Sequence, residues 1–142
     1  MAVTTETSPN VALVGDFLEA MGRVDIAALS ELLADDASWW LGGDMPVSGL
    51  YEGKDAVIGG FLASAAALFE PGSLGFDLRV ISDAGDRVIV EYAGIARGAA
   101  TGKDYNNAYC TIFECRDGKI HTVREYLDTA HAREVLYSVT AS

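Results

Sequence analysis

The order of the hydrophobic periodicities predicts a mixed α+β domain, with helices packed on one face of an antiparallel sheet. Over residues 9–69, apolar residues recur at the three- and four-residue spacing of helices. From residue 74 onward they alternate at the two-residue spacing of strands. The dipeptide Asp117-Gly118 separates two alternating runs, which is a strong signal for an antiparallel hairpin. Helical runs followed by consecutive hairpins are typical of the α+β class.

The N-terminal part of the sequence predicts two helices and a short extended segment. Ser8-Pro9 supplies an N-cap and a first helical position, and the helix that follows ends near Gly22. Asp25 caps a second, shorter helix that Asp35-Asp36 stops. Residues 37–41 are extended and enter a loop rich in glycine and proline. The core-facing residues of the two helices are Val14, Phe17, Leu18 and Met21, then Ile26, Leu29, Leu32 and Leu33.

A third helix, four strands and a last helix complete the predicted order. The third helix follows Gly53-Lys54-Asp55 and ends at Pro71-Gly72. Turns at residues 83–86 and 98–102 separate the first three strands, and Asp128 caps the last helix. The predicted inward residues are Ile58, Phe61, Leu62, Ala65, Leu68 and Phe69 in the helix, Leu74, Phe76, Leu78 and Val80 in the first strand, and Val88, Val90, Tyr92, Gly94 and Ala96 in the second.

The register of the last hairpin decides which polar residues share a face. A two-residue loop at Asp117-Gly118 sets Tyr109 opposite Tyr126, whereas a three-residue loop that includes Arg116 sets Tyr109 opposite Glu125. One residue of slip exchanges the two faces of a strand. We favour the three-residue loop, because Gly118 can adopt the left-handed conformation that this loop requires. The inward face then carries Asn107, Tyr109, Thr111, Val123, Glu125 and Leu127.

Length, composition and charge exclude several classes of function. The chain has 142 residues, half of them apolar, and a mean hydropathy of +0.19, so we expect one globular domain. This domain covers residues 9–137, between tails at residues 1–8 and 138–142. The formal charge of −11 argues against nucleic acid and anionic membranes as partners. No apolar run is as long as the roughly 18 residues that a helix needs to span a bilayer.

The sequence also bears on compartment and cofactors. The first eight residues lack the basic and apolar regions of a signal peptide, so we expect a cytoplasmic protein. Cys110 and Cys115 lie five residues apart on one predicted strand, so their side chains point to opposite faces and cannot form a disulfide. Histidine and cysteine do not occur at metal-ligand spacings, and no glycine-rich phosphate loop opens a helix. We therefore expect neither a metal nor an organic cofactor.

Four segments, taken with the order of elements, carry a family resemblance. They are Asp35-Asp36-Ala37-Ser38-Trp39, Gly53-Lys54-Asp55-Ala56-Val57, Asp117-Gly118-Lys119-Ile120 and Arg124-Glu125-Tyr126-Leu127-Asp128. Over residues 10–136 the chain resembles the SnoaL-like branch of the nuclear transport factor two-like superfamily. Members of this superfamily include isomerases, cyclases, dehydratases, epoxide hydrolases and proteins without catalytic activity, so the resemblance is more specific for fold than for function.

The resemblance implies a cone-shaped, cystatin-like α+β barrel, in which a curved antiparallel sheet wraps round the helices and leaves an apolar cavity. Glu125 stands where the limonene epoxide hydrolases of this superfamily carry a catalytic Asp. We therefore expect Glu125 to be catalytic, together with Tyr109 and Asn107 on the same face. The residues expected to bind substrate are Trp39, Leu41, Phe61, Tyr92, Ala96, Val123 and Leu127.

Two specialised groups of the superfamily are not matched. The limonene epoxide hydrolases also use an Arg and a second Asp, and the corresponding positions hold Tyr92 and Gly94. The ketosteroid isomerases use an Asp and a Tyr, and the corresponding positions hold Leu41 and Phe17, which cannot do that chemistry. The chain therefore resembles a SnoaL-like protein with a different set of polar residues.

Three functions follow from this set. The first is a cofactor-free enzyme in which Glu125 moves a proton on a hydrophobic, carbonyl-bearing substrate, giving isomerisation, aldol-type cyclisation or dehydration. Burial in an apolar cavity raises the pKa of a carboxylate and makes it a better base near neutral pH. The second is epoxide hydrolysis with Glu125 activating water, and the third is binding of a small ligand without catalysis. Each residue also has a structural alternative. Glu125 could pair with an Arg or cap backbone groups, Tyr109 could be a packing residue, and Asn107 could be a strand-end residue that bonds a loop.

Two further predictions concern the outside of the sheet and His121. The outer face carries an apolar set that is too large to leave in water, so we expect a homodimer that pairs through it. His121 and Glu125 are four residues apart on one strand, about 13 Å, which is too far for a direct dyad. The outer-face residues are Ala108, Cys110, Ile112, Thr122 and Tyr126.

Overall fold

A computed structural model describes residues 8–137 of the chain. Of the predicted tails, residues 1–7 and 138–142 lie outside the described residues, and Ser8 is described. The elements are α1 (Pro9–Arg23), α2 (Ile26–Leu32), β1 (Leu33–Leu41), β2 (Gly49–Glu52), a π-helical segment (Ala56–Leu62), α3 (Ala63–Ala66), β3 (Gly75–Ala84), β4 (Arg87–Arg97), β5 (Asp104–Arg116), β6 (Lys119–Leu127) and α4 (Thr129–Leu136).

The six strands form one open, curved sheet in the order β2-β1-β6-β5-β4-β3. Neighbouring strands are antiparallel except β1 and β6, which are parallel. The sheet curves round α1, whose Val14 and Phe17 are fully buried. The Phe17 ring packs against Trp39 of β1 and Phe113 of β5, with both pairs of ring centroids 5.9 Å apart. The α+β class predicted from the sequence is confirmed.

All three predicted helix caps are confirmed. Ser8 Oγ accepts a hydrogen bond from Val11 N at 3.1 Å, and Asp25 Oδ1 accepts one from Ala28 N at 3.1 Å. Asp128 Oδ1 accepts from the first backbone N–H groups of α4. These bonds satisfy N–H groups that have no partner inside a helix, so the caps fix where α1, α2 and α4 begin.

The structure corrects the predicted middle of the chain. β1 begins at Leu33 and not at residue 37, so Asp35 and Asp36 lie inside a strand. β2 is a strand that the sequence analysis does not predict, and it pairs with β1 in an antiparallel register. β2 has four residues including Gly49, and Gly53 follows it, so its sequence is too short to predict a strand. The third helix is π-helical over Ala56–Leu62 and ends at Ala66, well before the predicted stop at Pro71-Gly72.

A β-bulge exchanges the inward-facing and outward-facing side chains in the last part of β3. The register shifts between Leu78 and Val80, so one extra residue, Arg79, stands in β3 opposite β4. Beyond the bulge Ile81 takes the inward place that we predicted for Val80, and Val80 is 37% exposed. On β4 the predicted inward face is correct, because its residues from Val88 to Ala96 alternate as expected.

The β5–β6 turn differs from the predicted one, although the predicted faces are correct. The loop has two residues, Asp117 and Gly118, with φ of 53° and 75°, and Arg116 pairs with Lys119. Two positive φ angles are typical of a type I′ turn. A bulge in β6 then adds one residue, since Cys115 pairs with Ile120 and Glu114 with Thr122.

The bulge restores the inward face that the two-residue turn alone would have exchanged. Beyond it, Tyr109 pairs with Leu127 and Thr111 with Glu125, two residues away from the predicted pairing but with the same faces. His121 is the extra residue of the bulge, so it does not share the inward face with Glu125. It lies 3.6 Å from the carboxylate of Asp36 instead.

Cys110 and Cys115 are both free, as predicted. None of the helices in residues 8–137 is long and apolar enough to cross a membrane.

Candidate active site: an apolar cavity with a buried carboxylate

A largely apolar cavity lies between the inward face of the sheet and the helices. Its volume is about 80 Å³, whereas a cavity that holds a single water molecule needs about 10–15 Å³. It therefore has room for a small molecule. Val24 and Ile26 line the cavity and are 45% and 38% exposed, so it reaches the surface at the turn between α1 and α2. Its polar side chains come from Tyr105, Tyr109, Glu125 and Tyr137.

Glu125 presents its carboxylate to this cavity from β6. The residue is 6% exposed, and its Oε1 accepts a hydrogen bond from Trp39 Nε1 at 2.9 Å. Burial raises the pKa of Glu125 to about 7, although the bond from Trp39 acts in the opposite direction. Within residues 8–137 no cation pairs with it. The alternative role, a structural Glu that forms an ion pair with an Arg, is therefore not observed within residues 8–137.

Tyr109 belongs to a chain of hydrogen bonds along β5. Its hydroxyl lies 2.5 Å from that of Tyr105, which also accepts a bond from Asn107 Nδ2 at 2.8 Å. Asn107 Nδ2 donates in addition to the backbone oxygen of Asp128 at 2.9 Å. Burial raises the pKa of Tyr105 to about 12 and that of Tyr109 well above its ordinary value. Both tyrosines therefore keep their protons at neutral pH and act as hydrogen-bond donors.

The ring of Tyr109 is fixed by its neighbours on β4. It stacks on Tyr92 with ring centroids 5.1 Å apart and planes 6° from parallel. A Cβ at Gly94 would lie 2.8 Å from Tyr109 Cε1, so only glycine leaves room for the ring in this position. Tyr92 itself is buried, and its hydroxyl is bonded to Thr111 Oγ1 at 2.9 Å.

The structure divides the predicted site residues into two groups. The first group lines the cavity, and it consists of Glu125, Tyr109, Leu41, Phe61 and Leu127. The second group lies behind the cavity wall and does not line it, and it consists of Asn107, Trp39, Tyr92, Ala96 and Val123. Trp39 and Asn107 nevertheless contact the site, because each donates a hydrogen bond to a side chain that lines the cavity.

Sequence reasoning missed two polar residues of the cavity. Tyr105 is 1% exposed at the start of β5, on the same face as Asn107 and Tyr109. The alternation of β5 could have indicated it, since it is two residues before Asn107. Tyr137 follows α4, and its buried hydroxyl has no hydrogen-bond partner among the described residues. No periodicity points to Tyr137, because only the docking of α4 brings it to the cavity.

No group of three or more His, Cys, Asp or Glu side chains that could hold a metal ion occurs in residues 8–137. What the cavity offers is one carboxylate, with an oxygen that Trp39 does not occupy, and tyrosine hydroxyls. This arrangement can accept a proton from a bound molecule and donate a hydrogen bond to an oxygen of that molecule.

Comparisons with known proteins agree with this architecture. An NTF2-like protein from Burkholderia xenovorans is 26% identical, with a TM-score of 0.75, and the alignment covers 94% of this chain and 99% of that one. A putative isomerase from Bacillus subtilis is 22% identical, with a TM-score of 0.75 over 89% and 91% of the two chains. TerC, co-crystallised with polyporic acid, is 23% identical, with a TM-score of 0.80 over 92% and 100%. The last two are similar to this chain in fold.

A family model described as a SnoaL-like domain matches residues 14–123, which include most of the helices and strands that enclose the cavity. The chain therefore belongs to the SnoaL-like family of the nuclear transport factor two-like superfamily.

Proposed function

We propose that the protein is a cofactor-free enzyme that moves a proton on a small, hydrophobic, carbonyl-bearing substrate. The observation that carries the proposal is the burial of Glu125 at an apolar cavity, without a cation to neutralise it among residues 8–137. A group whose pKa lies near the working pH is a suitable general base. Its pKa of about 7 gives Glu125 that property.

In the proposed step, Glu125 removes a proton from the carbon next to the substrate carbonyl. The electron pair of that C–H bond moves into the carbonyl group, and negative charge develops on the oxygen. Tyr109 donates a hydrogen bond to this oxygen and keeps its own proton. Glu125 then returns the proton to a different carbon of a conjugated enolate, which gives an isomer. Alternatively, the enolate carbon attacks a second carbonyl group of the substrate, and Glu125 gives its proton to the alkoxide that forms, which closes a ring and restores the carboxylate.

Trp39 orients the base for this step. Its indole N–H holds Oε1 of Glu125 at 2.9 Å, so the second oxygen is left to face the substrate. Because the carboxylate is fixed by a neutral donor and not by a cation, it keeps the basicity that burial gives it. The family supports an isomerase or cyclase type of fold, and the putative isomerase from Bacillus subtilis has the same fold.

Hydrogen–deuterium exchange tests the proposal without knowledge of the product. A panel of small apolar ketones is incubated with the protein in deuterated water, and carbon-bound deuterium is measured by mass spectrometry. We expect exchange that rises with pH through the pKa of Glu125. Glu125→Gln keeps the shape of the side chain and should lower the exchange rate about 10²–10⁴-fold. Glu31→Gln, at an exposed carboxylate of α2, is the matched control.

Two results would contradict the proposal. Equal exchange by the parent protein and by Glu125→Gln would show that another group is the base. Binding of ketones without any exchange would favour the alternative function, a non-catalytic protein that binds a small ligand in the same cavity.

A further inference from the structure

Tyr105 is held in place from several sides. Its ring stacks on His131 with centroids 5.3 Å apart and meets Phe69 edge-on at 5.2 Å. Its hydroxyl accepts a hydrogen bond from Asn107 Nδ2, and the same nitrogen donates to the backbone oxygen of Asp128. Of the two ends of the Asn107 side-chain amide, only the nitrogen can donate to a backbone oxygen, so the bond to Asp128 fixes the orientation of the amide. Tyr105 oxygen is therefore an acceptor toward Asn107.

The hydrogens of the two tyrosine hydroxyls do not all find acceptors. Tyr105 and Tyr109 together carry two hydroxyl hydrogens, and the contact between their oxygens uses one. Within residues 8–137, no other acceptor is bonded to either hydroxyl. One O–H donor is therefore left over, whichever of the two donates. Both side chains line the cavity, so this donor can bond to an oxygen atom of a molecule that binds there.

We infer that Tyr105 and Tyr109 form one functional unit, the tyrosine pair, which donates a hydrogen bond to the substrate oxygen and holds it as negative charge develops. This inference rests on the proposed function, because the charge arises when Glu125 takes the proton. It makes Tyr105 a functional residue and not a packing residue. Asn107 becomes a positioning residue that acts through Tyr105, since a hydrogen bond into a chain polarises the bonds that follow it.

The inference narrows the class of substrate. A donor with both a raised pKa and a rigid ring binds charge on oxygen without giving up its proton, so the pair suits an enolate-forming carbonyl compound. An epoxide, whose opening needs a proton to be delivered to oxygen, is less suited to it. The tyrosine pair and Glu125 then divide the work: the pair holds the oxygen, and Glu125 moves the proton.

A phenol probe tests the pair without any turnover. 4-Nitrophenol absorbs differently as the phenol and as the phenolate, and the phenolate oxygen imitates that of an enolate. We would measure the pKa of the probe bound to Glu125→Gln, in which no carboxylate of the cavity titrates or repels the phenolate. In the Glu125→Gln background, Tyr105→Phe and Tyr109→Phe should each lower the ratio of bound phenolate to bound phenol about tenfold, which raises the pKa of the bound probe. The double substitution should reduce it little more than either single one.

Tyr51→Phe is the matched control, because its hydroxyl is bonded to the backbone oxygen of Val47 and the residue does not line the cavity. It should leave the pKa of the bound probe unchanged. An unchanged pKa in Tyr105→Phe, with a change in Tyr109→Phe, would overturn the role of Tyr105. Equal changes in Tyr51→Phe, or no binding of the probe in either form, would overturn the pair itself. None of these results depends on Glu125 as a base, so deuterium exchange that fails while the probe results hold would refute the proposed function alone.

Discussion

At the scale of single residues, Glu125 is in an unfavourable position for a charge. It is 6% exposed, and within residues 8–137 its carboxylate accepts a hydrogen bond from one neutral donor, the indole N–H of Trp39. Burying an ionised carboxylate without a cation destabilises the folded state, and the group responds by a raised pKa. The same feature that makes Glu125 a candidate base therefore makes the stability of the fold depend on pH.

The sign of that dependence follows from the pKa. Between the ordinary value of 4.5 and about 7, Glu125 is protonated in the folded state and ionised in the unfolded state. Its contribution to stability is therefore fully present below pH 4.5 and falls as the pH rises to about 7. A shift of this size corresponds to roughly 3 kcal/mol.

Glu125→Gln removes this dependence, because the amide does not ionise. We expect the variant to match the parent protein near pH 4.5 and to be more stable by up to roughly 3 kcal/mol at pH 8. Urea unfolding of both proteins at the two pH values measures the difference, in which contributions from other titrating groups cancel. Glu31→Gln, at an exposed position of α2, is the control that removes the same charge from the surface. A variant that is much less stable at pH 8 would show that Glu125 has a structural partner.

At the scale of elements, the position of Glu125 depends on the bulge in β6. The type I′ turn at Asp117-Gly118 alone would place Glu125 on the outer face. The extra residue, His121, moves the remainder of β6 back by one position, and Glu125 returns to the cavity. The turn and the bulge thus act as one device that sets the register.

Deletion of His121 should therefore disrupt the fold far more than its substitution. Without the extra residue, Glu125 would have to face outward, and the apolar residues beside it would be exposed. We expect the deletion variant to lose cooperative thermal unfolding, as monitored by circular dichroism. His121→Ala keeps the spacing and removes the contact with the exposed Asp36, so it should cost less than about 1 kcal/mol. A deletion variant that unfolds like the parent would contradict this account of the register.

At the scale of the whole molecule, the outer face of the sheet stays unpartnered in a single chain. Leu50 is 58% exposed and Tyr126 is 39% exposed, and the Trp40 ring packs on Tyr126 with centroids 5.1 Å apart. These side chains line a groove across β2, β1 and β6. We propose that a second copy of the chain covers this face, together with the neighbouring residues of β5.

Light scattering at micromolar concentration should therefore give the mass of a dimer. Tyr126→Glu places a charge in the proposed interface and should shift the protein to the monomer mass. Val80→Glu is the control, since Val80 is 37% exposed on β3 at the opposite edge of the sheet. A monomer mass for the parent protein would reject the dimer.

The sequence determined the elements whose signals are local. Caps at Ser8, Asp25 and Asp128 bond to backbone groups two or three residues away, so the residues that start each helix are adjacent in the sequence. The alternation along β4 likewise needs no knowledge of distant residues. For the same reason, the sequence predicted that Tyr109 and Glu125 face inward together, although it did so through a turn that the protein does not use.

The tertiary structure decided what these residues do. Trp39 and Glu125 are 86 positions apart, and their bond exists only because β1 lies parallel to β6. Tyr137 lines the cavity because α4 packs beside it. β2 forms because its backbone pairs with the edge of β1. A pKa near 7 is not a property of Glu125 as a residue. It arises because the whole fold removes water from one carboxylate, and no local pattern in a sequence records how much water the rest of the chain will exclude.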